Sequence, residues 1–192
     1  MTAYQVAIIG HGSHGHDIEA IWNAKNPLWP MECFDDKLLP APDLDDPTFH
    51  WYIGVNDSSE RARIAECIKL HAMPLVHQAA VIDDRCDFGR GVVVGANTTI
   101  TRDVRLGLHS HVNYNVGMTR TEAGDFVTIS PGVTIAGDVT IGDRTMIGAG
   151  AVICDRVTIG SDVTIGAGTI ILPETVIPDG TTWVGNPARQ LR

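Results

Sequence analysis

The chain has 192 residues, 44% of them hydrophobic, a length that suits one or two compact domains. Its formal net charge of −9 and pI of about 5.2 argue against nucleic acid or an anionic membrane surface as the main partner. Four scattered cysteines without a CxxC read as free thiols, no apolar run reaches membrane-spanning length, and the N-terminus shows neither a basic n-region nor a cleavage site, so a cytoplasmic protein is expected.

Residues 5–9 (QVAII) are a short apolar run without polar alternation, which predicts a buried parallel strand. The run enters Gly10-His11-Gly12-Ser13-His14-Gly15-His16, and residues 17–24 then predict a helix. Strand, glycine turn and helix together offer backbone N–H groups and a helix N-terminus to a phosphate, and the spacing Gly10, Gly12, Gly15 is similar to G-x-G-x-x-G. Glycine turns also join strands to helices with no ligand present, so the motif alone leaves both readings open. Residues 31–34 predict a second strand, followed by Asp35 and Asp36; carboxylates there suit ribose or uracil contacts, or a solvated turn. The acidic, proline-rich residues 39–47 predict a loop. Residues 51–55 predict a third strand, 56–59 a helix cap, 60–71 a helix with Ile64, Ala65, Cys67 and Ile68 on one face, and 73–76 a fourth strand. Residues 1–76 are therefore expected to be a Rossmann-like α/β domain, too short for a whole dinucleotide and better suited to a nucleotide-linked substrate.

From Ile82 onward the period is six. Marks at Phe88, Val94, Ile100, Leu106, Val112 and Met118, and again from Ala123 through Ile129, Ile135, Ile141, Ile147, Ile153, Ile159, Ile165, Ile171, Ile177 and Trp183, are nearly all bulky and apolar. Six is neither the helical period nor simple alternation. Hexads this short cannot bury an apolar face alone, but stacked coils of three hexads can. A β-sandwich would show irregular turn spacing instead. Residues 77–192 are thus expected to form an all-β left-handed parallel β-helix, a triangular prism in which residues 18 apart stack. The two runs of marks are one residue out of phase between Met118 and Ala123.

The combination resembles the bacterial sugar O-acyltransferases, hexapeptide-repeat acyltransferases that include sialic acid O-acetyltransferases of the NeuD type and N-acetyltransferases of UDP-linked amino sugars of the PglD type. Gly10-His11-Gly12-Ser13-His14-Gly15 is similar to that family's G-x-G-G-H-[AG] turn, with Ser13 for the third glycine, and Glu32-Cys33-Phe34-Asp35-Asp36 is similar to its G-F-x-D-D strand end, with Glu-Cys for Gly-Phe. Ile53-Gly54-Val55-Asn56, His77, Asn113, Gly124-Asp125-Phe126, Ser130-Pro131-Gly132 and Gly185-Asn186-Pro187-Ala188 also match. The resemblance implies transfer of an acetyl group from acetyl-CoA to the amine or hydroxyl of a nucleotide-linked sugar, in a homotrimer with acetyl-CoA between adjacent prisms. By matched position Gly12, Ser13, His14, Asp35 and Asp36 would hold the substrate, and Gly137 and Ala149 would line the acetyl and pantetheine channel. No metal is implied. Acyl transfer needs a base for the attacking group, for which an imidazole is suited, and a backbone N–H for the oxyanion.

The family's base, a His followed by Asp or Glu, has no counterpart. Counting back from Asp125 puts the two slots at Thr119 and Arg120; counting forward from Asn113 puts them at Arg120 and Thr121. An arginine is always protonated and cannot serve as base. His111 and His109 are the nearest histidines, though neither is spaced 18 residues from the slot, and Glu122 is a carboxylate substitute or a solvent-facing corner residue. Two readings follow: an acyltransferase that works without the usual base, or a sugar-nucleotide-binding or scaffold protein that has lost acyl transfer. A metal-dependent prism of the γ-carbonic anhydrase kind would need three suitably spaced histidines, whereas the repeat carries only His109 and His111 after His77.

Overall fold

The computed structural model describes residues 5–10, 12–25, 31–34, 49–68 and 71–191. Its N-terminal part has three parallel strands, β1 (Gln5–Ile9), β2 (Glu32–Phe34) and β3 (Phe49–Ile53), ordered β2-β1-β3. Two helices, α1 (Ser13–Lys25) and α2 (Ser58–Ala65), pack against the sheet's two faces. Alternation along β3 explains the two layers: Trp51 and Ile53 join one core with Ile64 and Ala65 of α2, while Tyr52 joins the other with Ile18 and Ile21 of α1. This is a small three-stranded α/β unit, less than the Rossmann-like domain expected.

The element boundaries differ in instructive ways. α1 begins at Ser13 rather than residue 17, because the ladder already starts with His16 N–H donating to Gly12 O at 3.0 Å. Gly54 makes the tight entry possible: a Cβ there would collide with Gly10 O and Gly15 Cα, so strand end and helix start touch backbone to backbone. β3 lies at 49–53 rather than 51–55, its register set by Phe49 opposite Gln5. α2 is capped by Asp57, whose carboxylate accepts from Glu60 N at 2.8 Å. It ends at Ala65, short of the expected residue 71, because Cys67 N–H and Ile68 N–H tighten onto carbonyls three residues back and His71 must reach Trp51 as a β-bridge. The expected fourth strand belongs elsewhere: β4 (Leu75–Val76) pairs in parallel with Val93–Val94 and is the first rung of the repeat. Residues 39–47 lie outside the described residues.

The rest is a parallel β-solenoid of about six coils with three sheets as faces. The chain passes from the first face, which contains β4, to the second, which starts at Val81–Ile82, and to the third, which starts at Asp87–Phe88. Rungs stack in parallel, as in Val76↔Val94↔Val112 on the first face. Inside, Ile100, Ile129, Ile147, Ile153, Ile165 and Ile171 are at most 1% exposed, so the six-residue marks are the continuous core. Successive rungs are eighteen residues apart except at one coil, where Val112↔Ile129, Met118↔Ile135 and Leu106↔Ala123 are each seventeen apart. Corners turn through a left-handed residue; along the second-to-third edge these are Asp103, Arg120, Asp138, Arg156 and Glu174. The missing residue falls at this edge.

Candidate functional site

The short coil can be placed to the residue. Thr119 pairs with Thr101 and Thr121 with Val139, so Arg120 alone spans a corner that takes Arg102-Asp103 below and Gly137-Asp138 above. Arg120 is left-handed, as Asp103 and Asp138 are, and its N–H donates to Arg102 O at 3.0 Å. The absent residue is therefore the one before Arg120. Of the two residues that the sequence counts put in the histidine slot, Thr119 is a strand residue and Arg120 the corner residue.

Arg120 fills part of that gap with its own side chain. Its Nε and Nη2 fork onto the Asp138 carboxylate at 2.9 and 3.3 Å. This hydrogen bonding holds the guanidinium above its ordinary pKa and the Asp138 carboxyl below the usual carboxylate range. The guanidinium lies so close over Gly137 that a Cβ there would collide with it, which leaves Gly137 buried. The Gly137 N–H donates to Asp155 Oδ1 at 3.1 Å and so is already engaged. Asp138 and Asp155 escaped sequence reasoning because that search looked for an adjacent carboxylate; the eighteen-residue stacking rule would have brought both to this corner.

The proposed substitutes for the base lie elsewhere on the same chain. His109 turns the third-to-first corner, fully buried, with its ring stacked on Phe126 (centroids 6.2 Å, planes 7°) and its Nε2 2.9 Å from His71 Nδ1. Burial, then His71 and Arg61, push its pKa down to about 3. His111 is on the first face, buried beneath Asp17, Ile18 and Ile21 of α1. Glu122 is on the third face, exposed and 3.4 Å from Arg105.

Sequence reasoning also missed the joint between the two parts. Arg61 of α2, completely buried, donates to Phe126 O at 2.6 Å and Thr128 Oγ1 at 2.8 Å in the solenoid, and to Val55 O and Asn56 O on its own side. Burial lowers its pKa to about 10. A charged residue on the same helical face as Ile64 and Ala65 was the signal.

The substrate residues assigned by resemblance are only partly visible. Gly12 is exposed at the start of α1, with open space where a Cβ would stand. Ser13 and His14 open the helix. Asp35 and Asp36 lie outside the described residues. Below α1, a cleft of about 290 Å³ opens between Asp17 on the helix and His77, Asn97, Asn113, Tyr114 and Asn115 on the first-to-second edge. Burial raises the Asp17 pKa against the opposing pull of His16. Ala149 is exposed on this same edge, whereas Gly137 lies on the second-to-third edge, so the second face separates the two residues assigned to the acyl-CoA channel. Among the described residues no three His, Cys, Asp or Glu side chains cluster as metal ligands, and no helix is long and apolar enough to cross a membrane.

The bacterial transferase hexapeptide family (six repeats) matches residues 124–155. No curated protein sequence matches the chain. Among solved structures, the acetyltransferase domain of PglB from Neisseria gonorrhoeae FA1090, in complex with acetyl coenzyme A, is 29% identical with a TM-score of 0.87, covering 97% of this chain and 98% of that one. A mutant of perosamine N-acetyltransferase from Caulobacter crescentus, in complex with CoA and GDP-perosamine, is 23% identical with a TM-score of 0.89 over 98% of this chain and 97% of that one. WeeI from Acinetobacter baumannii AYE is 23% identical with a TM-score of 0.88 over 98% of this chain and all (100%) of that one. The parallel β-solenoid behind a small α/β unit is an architecture that solved acetyltransferases share along their whole length.

Proposed function

We propose that the protein is an acetyl-CoA-dependent acyltransferase that acts on a nucleotide-linked sugar, of the kind represented by the NeuD and PglD types. The observation that carries this reading is the end-to-end likeness to the PglB acetyltransferase domain, solved with acetyl coenzyme A, and to perosamine N-acetyltransferase, solved with CoA and GDP-perosamine. In this reading the N-terminal α/β unit is a reduced Rossmann-like domain that holds the sugar nucleotide through Gly12, Ser13, His14, Asp35 and Asp36. The solenoid is left-handed, and Gly137 and Ala149 line the path of acetyl-CoA. The amide-rich cleft below α1 supports a hydroxylated ligand, because Asn97, Asn113 and Asn115 offer both donors and acceptors.

The reading also requires a homotrimer. Within one chain the cleft under α1 and the Arg120 corner lie on opposite edges of the second face. In this reading, prisms packed side by side would bring the Arg120 corner of one protomer to the N-terminal unit of the next and so unite acceptor and acyl donor. This reading puts the protein in the cytoplasm, where acetyl-CoA and nucleotide sugars are both present.

One observation favours a second reading, a non-catalytic sugar-nucleotide-binding protein: the position before Arg120, where the resemblance puts a histidine base, is missing. Titration calorimetry with acetyl-CoA, followed by assay of CoA thiol release with UDP- and GDP-linked amino sugars, separates them. Micromolar acetyl-CoA binding with turnover supports the transferase. Binding of the nucleotide sugar with no acetyl-CoA binding leaves only the second reading.

A further inference from the structure

We propose that Arg120, held over Gly137 by Asp138, is the oxyanion donor of an acyl-transfer corner that has no proton acceptor of its own, and that the acyl acceptor is therefore an amine. This rests on the acyltransferase reading above.

Three observations converge on Arg120. Arg120 stands alone at a corner that takes two residues in the neighbouring coils, and its guanidinium lies directly against Gly137. The Gly137 N–H is taken by Asp155 Oδ1 at 3.1 Å and is not free to polarise a thioester carbonyl. Asp138 engages two N–H groups of the guanidinium, at Nε and Nη2, out of the five an arginine carries. The fork fixes the plane of the group and leaves N–H donors to spare, the requirement for a preorganised oxyanion site.

The acceptor class follows from what the corner lacks. Among the described residues, the charged side chains around this corner are Arg102, Asp103, Arg120, Asp138, Asp155 and Arg156, with no imidazole. Asp138 is tied to Arg120, and Asp155 to a backbone N–H. A sugar hydroxyl needs a base to become nucleophilic, whereas an amine in its neutral form attacks through its own lone pair. The amine nitrogen adds to the acetyl carbon, and the carbonyl electron pair moves onto the oxygen held by Arg120. The nitrogen loses its proton to solvent. The oxygen lone pair re-forms the carbonyl, the C–S bond breaks, and the departing thiolate of CoA takes a proton from solvent. The products are the N-acetyl sugar and the free thiol.

Arg120 is also one rung of an alternating ladder, Asp103, Arg120, Asp138, Arg156, Glu174, in which Arg156 pairs with Glu174 at 2.9 Å. A purely structural arginine would behave like Arg156, which makes Arg156→Gln the control. The experiment compares wild type, Arg120→Gln, Arg120→Lys and Arg156→Gln on the full-length protein. Calorimetry measures acetyl-CoA and CoA binding, and CoA release is followed with an amino sugar nucleotide and its hydroxyl counterpart. The expected result is a fall in kcat of about a hundred-fold for Arg120→Gln, partial recovery in Arg120→Lys, and an unchanged rate in Arg156→Gln. Wild type also binds acetyl-CoA about tenfold more tightly than CoA, a preference lost in Arg120→Gln. The rate with the amine rises with pH along the acceptor's own titration, and the hydroxyl analogue is not turned over. Equal rates in Arg120→Gln and Arg156→Gln, or efficient O-acetylation, would overturn the proposal while leaving the acyltransferase reading intact. Absence of acetyl-CoA binding in wild type would overturn both.

Discussion

Lowering the pH from 7.5 to 5.0 tests the joint between the N-terminal unit and the solenoid. His109 sits fully buried between Phe126 and His71, with Arg61 nearby and Arg90 donating to the His71 carbonyl at 3.2 Å. Burial, His71 and Arg61 all oppose a positive charge on it and lower its pKa from 6.5 to about 3. The folded protein thus keeps His109 neutral where the unfolded chain binds a proton. Stability is complete above pH 6.5 and is lost as pH falls from 6.5 toward about 3. At pH 5.0 the unfolded chain is favoured by roughly 1.5 pH units of proton binding, about 2 kcal/mol. The shift of His71 is in the same direction, caused first by burial and then by Arg90, and adds to the effect. Urea unfolding at the two pH values should show this loss in wild type and a smaller one in His109→Phe, which keeps the ring stack on Phe126 and removes the titrating nitrogen. Hydrogen bonds from Arg120 and Arg144 hold the Asp138 and Asp162 carboxyls below the usual carboxylate range, and both pairs are common to wild type and His109→Phe, so the comparison cancels them. Equal pH dependence in wild type and His109→Phe would refute the assignment.

Other outcomes follow from the same structure. Arg61→Met leaves Phe126 O, Thr128 Oγ1, Val55 O and Asn56 O without their shared donor and should cost about 3 kcal/mol in urea unfolding, with a loss below about 1 kcal/mol counting against a bridging role. Ile153→Ala removes a fully buried rung and should cost about 3 kcal/mol, whereas Val176→Ala, at a position 69% exposed, should be neutral. Inserting a histidine between Thr119 and Arg120 restores the six-residue spacing, supplies a base and keeps Arg120 in place. The rate should then acquire an inflection near pH 6.5 and the hydroxyl acceptor should be turned over, an effect on the order of a hundred-fold or more. A pH profile unchanged by the insertion would show that this corner is not where the proton is taken.

The solenoid was legible because its period is local and repeated: a hexad that cannot bury an apolar face alone has one way to do so, and Ile100 through Ile177 stack as the marks require. The position of the short coil was legible too, since a regular period shows a phase slip without any second sequence. The chain's own pattern could not say which residue is missing. Counting from the two flanking landmarks puts the histidine slot at Thr119 or at Arg120, and only the pairing of Thr119 with Thr101 and the left-handed turn at Arg120 distinguish the two. Tertiary structure likewise decided that Leu75–Val76 belongs to the solenoid, that Asp138 and Asp155 meet Arg120 across stacked coils, and that Arg61 and His109 are buried at a joint. The physical reason is range: a period of six is written between near neighbours, while strand partners, ion pairs across coils and the burial of a charge are settled only when distant segments pack.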